Sequence, residues 1–247
     1  MFNLRMRRLL VLSMLAGLLA LPAAAQAVEL GEAGRAKASC PERCQVLGRV
    51  SGYQLKLEGR RSPFKVDRPG RITAFGVTLG TPTASQQRFF TSTFGGPPQA
   101  RLSILRRGTK RKHRLVAQSP AFDLTPHLGT THRFRLREPL AVRKDYMVAL
   151  TVPTWAPTFA VDLSSQEGWR SSRDARRCAD VRQRAAQQRV GGLRTYGCFY
   201  RTARILYTAT FEPTEEDGDG DGDRDREGDR GRNDPAQNPD GGERNGR

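Results

Sequence analysis

The stretch Tyr146-Met147-Val148-Ala149-Leu150-Thr151-Val152 is the longest apolar run of β-type residues after residue 27. It follows a charged turn, Arg143-Lys144-Asp145, and Pro153 comes directly after it. A short apolar run between turn residues indicates a strand that is buried on both faces. We therefore expect residues 146–152 to form a central strand of a sheet and to end at Pro153.

The segments around this strand alternate between apolar and polar residues, which is the pattern of half-buried strands. Residues 53–58 are one example, with Tyr53, Leu55 and Leu57 expected to face inward. About ten such segments occur at the 8–12-residue spacing that is typical of sandwiches and barrels. Alternating strand–helix units are missing from the pattern. The sequence predicts an all-β fold, namely an antiparallel two-sheet β-sandwich of jelly-roll type.

Two segments deviate from the strand pattern. Residues 87–94 contain three phenylalanines whose spacing fits a turn of helix as well as a strand, so the sequence leaves the secondary structure of this segment undecided. Residues 171–192 are polar and rich in arginine, alanine and glutamine, and residues 173–188 are a helical candidate with a thin apolar face. We interpret residues 171–192 as a polar, part-helical surface insertion in the sandwich.

The N-terminal 27 residues have the organisation of a signal peptide. Arg5, Arg7 and Arg8 precede thirteen apolar residues, 9–21, and Ala25-Gln26-Ala27 offers small residues for cleavage. The apolar run is shorter than the roughly 20 residues that cross a bilayer. We therefore expect a secreted, extracellular protein with no transmembrane segment after cleavage. General export is favoured, although the Arg7-Arg8 pair leaves the twin-arginine route open.

The remaining chain divides into three regions by composition. Residues 28–39 are small and charged and are predicted to form a loose lead-in, followed by the β-sandwich domain at residues 40–212. Residues 213–247 are rich in Gly, Asp and Arg and predict a disordered acidic tail. The tail begins like a calcium loop at Asp217, but its twelfth position is Gly228 instead of glutamate. A looser calcium-binding loop stays open as an alternative.

Residues 28–212 contain 33 basic and 13 acidic residues, a net charge of +20. Such a charge favours an anionic partner, for example an anionic polymer or polysaccharide of the cell envelope. For an exported chain, nucleic acid is not the expected physiological partner. A GC-rich genome is an equally good explanation, because 36 of the 42 basic residues of the chain are arginine. The sequence leaves both explanations open.

The four cysteines form two local groups, Cys40-x3-Cys44 and Cys178-x19-Cys198. An even number of cysteines in an exported chain favours disulfides. Three pairings exist, and we favour Cys40–Cys44 with Cys178–Cys198, the second of which would hold the polar insertion. A metal site is not expected, because the three histidines are all distant from the cysteines in sequence.

The predicted ligand-binding residues are a basic turn and one tryptophan. Seven of the nine residues from Arg106 to Arg114 are Arg, Lys or His, and such a cluster can neutralise phosphates or sulfates. Trp155 lies between two prolines after the central strand, where a loop would present it to a sugar ring, with Trp169, Tyr196 and Tyr200 as further candidates. The alternatives are a solvated hairpin tip and a tryptophan that caps the core, and the second is favoured because tryptophan is highly buried on average. The predicted binding set is Arg106, Arg107, Lys110, Arg111, Lys112, Arg114 and Trp155.

Catalytic and metal-ligating residue types are present but match no established spacing. Asp123, His127 and His132 have the chemistry of a metal site, and Ser119 with Asp123 and His127 that of a triad, without the motif of a nucleophile elbow. Asp145, Asp162 and Glu167 are the candidate carboxylates for a pair that assembles in space for glycoside chemistry. We expect no enzyme activity, no metal and no cofactor.

Residues 89–105, 143–157 and 201–211 resemble an uncharacterised family of exported β-domain proteins from high-GC Gram-positive bacteria. The resemblance covers most of residues 40–212. It implies export and a β-fold, and it implies no activity and no site residues.

Together these features predict an exported, non-catalytic β-sandwich protein that binds an anionic polymer or carbohydrate of the cell envelope. A structural surface protein that self-associates is one alternative, and a hydrolase or lyase with an unlocated site is another. The sequence leaves the ligand and the oligomeric state open.

Overall fold

A computed structural model describes residues 26–32 and 36–214 of the 247-residue chain. The strands in chain order are β1 (Val28–Leu30), β2 (Leu47–Leu57), β3 (Arg60–Arg61), β4 (Gly70–Thr78), β5 (Gln99–Arg107), β6 (Lys112–Gln118), β7 (Phe122–Asp123), β8 (Thr131–Val142), β9 (Met147–Ala156), β10 (Phe159–Ala160), β11 (Gly168–Ser171), β12 (Leu193–Thr195), β13 (Cys198–Arg201), β14 (Arg204–Ile205) and β15 (Tyr207–Pro213). One α-helix, α1 (Ala84–Phe94), and a short 3-10 turn, Thr125–His127, complete the described part of the chain.

The strands form two facing antiparallel sheets. Sheet I has the order β1-β15-β4-β8, and sheet II has the order β12-β6-β5-β9-β2-β11-β13, with β3 beside β2 and β7 beside β5. Within sheet II, β6-β5-β9-β2 opposes the four strands of sheet I. Along the chain these eight strands form four successive pairs, β1–β2, β4–β5, β6–β8 and β9–β15. In each pair one strand belongs to sheet I and the other to sheet II, which is the topology of an eight-stranded jelly roll. The predicted all-β sandwich is confirmed.

One continuous hydrophobic core fills the space between the sheets. Phe75 of sheet I and Leu102 and Leu150 of sheet II are at most 1% exposed. The ring of Phe64 stacks on Tyr207 of sheet I with 4.0 Å between the centroids. The Tyr207 hydroxyl donates a hydrogen bond of 3.0 Å to the carbonyl of Val148 in sheet II, so this buried polar group is satisfied.

The central strand predicted from the apolar run is β9. It pairs with β5 on one side and β2 on the other, and residues 147–152 are all buried, whereas Tyr146 precedes the strand. The inner face of β9 contacts the core between the sheets, and the outer face is covered by a later part of the chain. The prediction of a strand sealed on both faces is therefore confirmed.

The strand does not end at Pro153, as predicted, but continues to Ala156. The pairing with β2 shifts register between Gly48 and Val50, and the pairing with β5 has already ended at Thr151. A β-bulge of this kind accommodates a proline, because the missing N–H is not needed in the ladder.

Residues 87–94, which the sequence left open, belong to helix α1. The helix begins after Thr83, whose side chain accepts a hydrogen bond from the backbone of Gln86 while the Gln86 side chain accepts one from the Thr83 backbone. This capping box satisfies two N–H groups at the start of the helix. The helix ends at Gly95, whose φ of 81° is the left-handed conformation that favours glycine.

In the segment between β9 and β15, strand β11 extends sheet II beside β2 and β12 extends the opposite edge beside β6, so the chain crosses the sheet between them. Residues 172–192 make this crossing over the outer face of sheet II, and we call them the covering segment. Residues 171–192 are a polar segment that lies mostly at the surface, as predicted, although Arg173, Ala185 and Gln187 are buried. The helical part considered for residues 173–188 is not present, because these residues form turns and irregular structure.

The predicted boundaries are corrected at the N-terminal side. Residues 28–30 of the expected loose lead-in form β1, which pairs with Ala209–Phe211 of β15 and is the first strand of the jelly roll. The signal sequence lies almost wholly outside the described residues, as does the acidic tail with its calcium-loop pattern. Among the described residues, no helix is long and apolar enough to span a bilayer.

Candidate basic surface

The basic turn forms a hairpin that projects from sheet II. Strands β5 and β6 pair up to Arg107 and His113, so the strands extend further into the basic segment than the sequence predicted. The four-residue connection closes with a hydrogen bond from the backbone N–H of Gly108 to the carbonyl of Lys112 and another from the N–H of Lys112 to the carbonyl of Thr109. Lys110 and Arg111 have positive φ. We call residues 106–114 the basic hairpin.

The six basic side chains predicted to bind are all exposed, and the seventh, His113, is buried. Strand β12 pairs with β6 and widens the charged area. Arg106, Arg114 and Leu193 lie opposite one another across the three strands, and Arg107, His113 and Arg194 form the next row. Side chains of adjacent rows point to opposite faces of a sheet. Both faces of the hairpin therefore present arginine.

No carboxylate neutralises this charge within the described part of the chain. The ion pairs found there include Arg43–Asp162, Lys65–Asp145 and Arg177–Asp180, and none involves the basic hairpin. Within residues 26–32 and 36–214, one side-chain hydrogen bond is made by its six exposed basic residues, from Arg114 to the carbonyl of Gly191. Most of the hairpin's donors are therefore free to bind an anion.

The hairpin rests on a buried aromatic cluster. The His113 ring lies 5.3 Å from Tyr53 and 4.9 Å from Tyr196, measured between centroids. Burial lowers the pKa of His113, and the positive charges of Arg107 and Arg170 lower it further, while a hydrogen bond with the carbonyl of Arg111 opposes them. The neutral imidazole is therefore favoured and does not add to the surface charge.

Two arginines that the sequence did not single out complete the surface. Arg170 of β11 donates to the carbonyl of Tyr196 and lies 5.5 Å from the centroid of Phe199. Burial lowers the pKa of Arg170, and the nearby charge of Arg111 lowers it as well, against the raising effect of Tyr53.

We define the basic surface as the basic hairpin with Arg170 and Arg194. No local sequence signal identified these two, because they approach the hairpin only in the folded chain. Arg194 does so through the pairing of β12 with β6, and Arg170 through Tyr196, whose backbone N–H donates to the carbonyl of Arg111.

Trp155, the predicted sugar-stacking residue, is not available to a ligand. It is 0% exposed, its ring lies 5.2 Å from Phe90, and its Nε1 donates a hydrogen bond to the carbonyl of Gly96. Helix α1 packs over the end of β9, and this contact encloses the indole. Trp155 caps a small second core with Phe90 and Phe94, which was the favoured alternative.

The other aromatic candidates do not form a sugar-binding platform either. Trp169 and Tyr196 are at most 2% exposed. Tyr200 is half-buried and stacks on Trp169 with 4.6 Å between the ring centroids, while its hydroxyl donates to the carbonyl of Cys178. The rings of this set are used in packing.

The histidine candidates form a pair and not a metal site. His127 and His132 stack face to face with 3.5 Å between ring centroids, and Asp123 accepts hydrogen bonds from Thr125 instead. Burial and the neighbouring His127 lower the pKa of His132. No group of three metal-ligating side chains occurs among residues 26–32 and 36–214.

The remaining catalytic candidates each have separate structural partners. Ser119 is buried, donates to the carbonyl of Pro120 and accepts the backbone N–H of Leu102, so it makes no bond to a histidine. Asp145 and Asp162 are exposed and paired with lysine and arginine. Glu167 is buried beside Gln54 and accepts the backbone N–H of Glu58. The described residues show no bond between any two of these three carboxylates.

Both favoured disulfides are present. Cys40 is bonded to Cys44, and Cys178 to Cys198, and no free cysteine is left. The second bond ties the segment before β12 to β13, which holds the covering segment against sheet II. Two disulfides are compatible with an extracellular protein.

No protein-family model, curated protein or solved structure matches the chain. The resemblance to exported β-domain proteins therefore stays a prediction.

Proposed function

We propose that this is an exported, non-catalytic β-sandwich protein that binds an anionic polymer of the cell envelope through its basic surface. The observation that carries the proposal is the set of exposed Arg and Lys side chains on the basic hairpin, none of which is paired with a carboxylate of the described chain. The two disulfides support folding in an oxidising compartment.

The shape of the hairpin supports a polymeric ligand in particular. Arg106 and Arg114 are directly opposite each other in one cross-strand row, and such residues have Cβ atoms about 5 Å apart. Arg107 and Arg194 lie in the next row, on the other face of the sheet, with His113 between them. A chain with regularly spaced phosphate, sulfate or carboxylate groups would contact several guanidinium groups at once, and arginine pairs with such groups through two hydrogen bonds.

Binding of this kind depends strongly on salt. Each phosphate contact releases condensed counterions, so the logarithm of the affinity falls with the logarithm of the salt concentration, by about one unit of slope per contact. The decisive measurement is therefore the slope of the logarithm of the affinity against the logarithm of the salt concentration, which separates binding through charged contacts from adhesion that does not depend on charge.

The test uses the cleaved, oxidised protein on heparin resin and on a polyphosphate-coated surface at a series of salt concentrations. The variant replaces Lys110, Arg111, Lys112 and Arg114 with Ser. We expect earlier elution and a salt slope lower by about two to four, according to how many of these side chains contact the polymer.

The matched control removes the same charge elsewhere. Arg135, Arg137, Arg143 and Lys144 are exposed on or next to β8, outside the basic surface. Replacing these four with Ser changes the net charge equally and should lower the slope much less. Equal effects of both variants would mean that net charge alone causes retention, and an unchanged slope in the hairpin variant would overturn the proposal.

An anionic membrane is a competing partner with a distinct result. Val190 and Leu193 are 54% and 52% exposed beside the basic hairpin, and exposed apolar residues next to basic ones also suit a lipid surface. Binding to vesicles of phosphatidylglycerol that is lost on Leu193→Ser, combined with no affinity for polyphosphate or heparin, would replace the polymer with a bilayer.

A further inference from the structure

A second positively charged site lies on the outer face of sheet II, away from the basic hairpin. It is a groove of about 300 Å³ between β2, the end of α1, β9 and the covering segment. No acidic residue lines it. The lining residues are Arg49, Phe94, Gly95, Pro153, Arg184, Ala186 and Gln188.

The β-bulge that accommodates Pro153 also places Arg49 in the groove. Arg49 is half-buried, has a φ of 42°, and lies where the pairing between β2 and β9 shifts. Its carbonyl accepts the backbone N–H of Ala185 at 2.8 Å, which attaches the covering segment at this point. Arg49 is therefore held by the backbone on both sides of the groove, and its position is built into the fold.

The protein uses few of the hydrogen-bond donors in the groove. Arg49 donates through Nη2 to the carbonyl of Arg182 at 2.6 Å, and its buried Nε–H has no partner in the described chain. The exposed guanidinium of Arg184 makes no hydrogen bond or ion pair with the described residues. A guanidinium carries five N–H donors. Two arginines that line one groove and leave most of their donors unused are suited to one oxyanion.

The apolar wall of the groove stabilises this arrangement. The guanidinium carbon of Arg49 lies 5.7 Å from the ring centroid of Phe94, which is a cation–π contact. Phe94 and Pro153 add apolar atoms to the lining of the groove, with the Phe94 ring next to the guanidinium of Arg49. A volume of about 300 Å³ is at the lower end of the range for small-molecule sites, and suits a group of monosaccharide size.

We propose that this groove binds a compact oxyanion, a phosphate or a carboxylate, on a ligand about the size of a monosaccharide. The anion pairs with Arg49 and Arg184, and the body of the ligand lies against Phe94 and Pro153. The groove lies apart from the basic hairpin, although Arg194 of the basic surface donates a hydrogen bond of 3.4 Å to the backbone carbonyl of Arg184. Pro153 lies six positions along β9 from Met147, which pairs with Leu105 at the base of the hairpin, a distance of roughly 20 Å.

The test titrates the cleaved, oxidised protein with inorganic phosphate, with glucuronate and with uncharged glucose. Binding is followed by calorimetry and by the side-chain Nε–H signals of arginine in two-dimensional NMR spectra. We expect saturable binding of phosphate or glucuronate, no binding of glucose, and a shift of the Arg49 signal. The anion that binds more tightly shows whether the groove prefers a phosphate or a carboxylate. Arg173 is the internal reference, because its Nε is also buried without a partner but lies outside the groove, and its signal should not move.

Variants locate the site. Arg184→Gln and Arg49→Gln should each weaken binding by about tenfold, because each removes a charge-assisted contact. Arg184 is exposed, so its replacement tests the site even if Arg49→Gln fails to fold. Arg176→Gln, an exposed arginine of the same segment that does not line the groove, should leave the affinity unchanged.

The serine variant of the basic hairpin should bind these small anions as wild type does, so failure of the polymer proposal would not affect this one. The inference is overturned if neither anion saturates by about 10 mM, a concentration that corresponds to very weak binding. It is also overturned if Arg184→Gln binds as tightly as wild type or if the Arg173 and Arg49 signals shift equally.

Discussion

The side-chain oxygens of Ser51 and Thr151 lie 2.7 Å apart in the middle of sheet II, and Thr151 makes the same contact with Ser103 on its other side. All three residues are at most 1% exposed. The Ser51 oxygen also accepts the backbone N–H of Gln187 at 2.9 Å. The outer face of the sheet is therefore a buried polar layer, and it holds the covering segment by specific hydrogen bonds.

Thr151→Val should lower the free energy of unfolding by about 1–3 kcal/mol, because the shape is kept while the hydroxyls of Ser51 and Ser103 lose a buried partner. Urea denaturation measures the change. Thr151→Ser retains the hydroxyl and should cost less than the valine variant. If valine is tolerated as well as serine, the hydroxyl row does not contribute to stability.

Trp155→Ala should destabilise the protein by about 3–5 kcal/mol, the usual cost of removing a large buried aromatic side chain. Heparin retention of the folded fraction should stay at the wild-type value, because the indole contacts Phe90 and Gly96 and no part of the basic surface. Phe89→Ala is the control on the same helix, since Phe89 is 57% exposed, and it should change stability by less than about 0.5 kcal/mol. A selective loss of ligand binding in the folded Trp155 variant would restore this residue as a contact.

Replacing both Cys178 and Cys198 with Ser should cost about 3 kcal/mol by the chain-entropy relation, since the bond closes a sequence separation of 20. The Cys40/Cys44 pair closes a separation of only 4 and should cost less, about 2 kcal/mol. Hydrogen exchange should rise first in residues 172–197 of the Cys178/Cys198 variant. Equal losses in both variants with uniform exchange would show that the bond does not act through the covering segment.

Stability should fall as the pH is lowered through the ordinary pKa of histidine, about 6.5. The pKa of His113 is lowered in the folded state, mainly by burial, so below this pH the unfolded chain binds more protons than the folded one. At higher pH, His113 makes its full contribution to the free energy of unfolding. This contribution decreases as the pH falls from 6.5 towards the pKa that His113 has in the folded state.

The measurement for His113 compares unfolding of wild type and His113→Gln between about pH 7.5 and pH 5. His132 also has a lowered pKa and keeps part of the dependence in both proteins. The difference in stability between wild type and variant should therefore be largest at the higher pH. A constant difference across this range would contradict a depressed pKa at His113.

Local pattern was sufficient for several features of the fold and of the site. Three features depend on a few consecutive residues only: the apolar run at residues 147–152, the alternation in neighbouring segments and the basic hairpin. The structure forms a strand or a hairpin at each of them. The favoured cysteine pairing also joined residues close in sequence.

Burial on the outer face of sheet II was not visible in the pattern. Ser51 is 0% exposed although it is a polar member of β2, because residues 172–192 return to cover the sheet and supply hydrogen-bond partners such as the backbone N–H of Gln187. Alternation along a strand reports one buried face only, and it cannot report a second layer contributed by a distant segment.

The amino-acid sequence alone determined the all-β class, the central strand and the charged hairpin, since these follow from side-chain periodicity and from contiguous charge. Tertiary structure alone decided the burial of Trp155, which depends on the carbonyl of Gly96 some 59 positions earlier, and the meeting of Arg49 with Arg184. The physical reason is that a side chain becomes buried, or joins a site, through neighbours that are far away in sequence and near only after the sheets have packed.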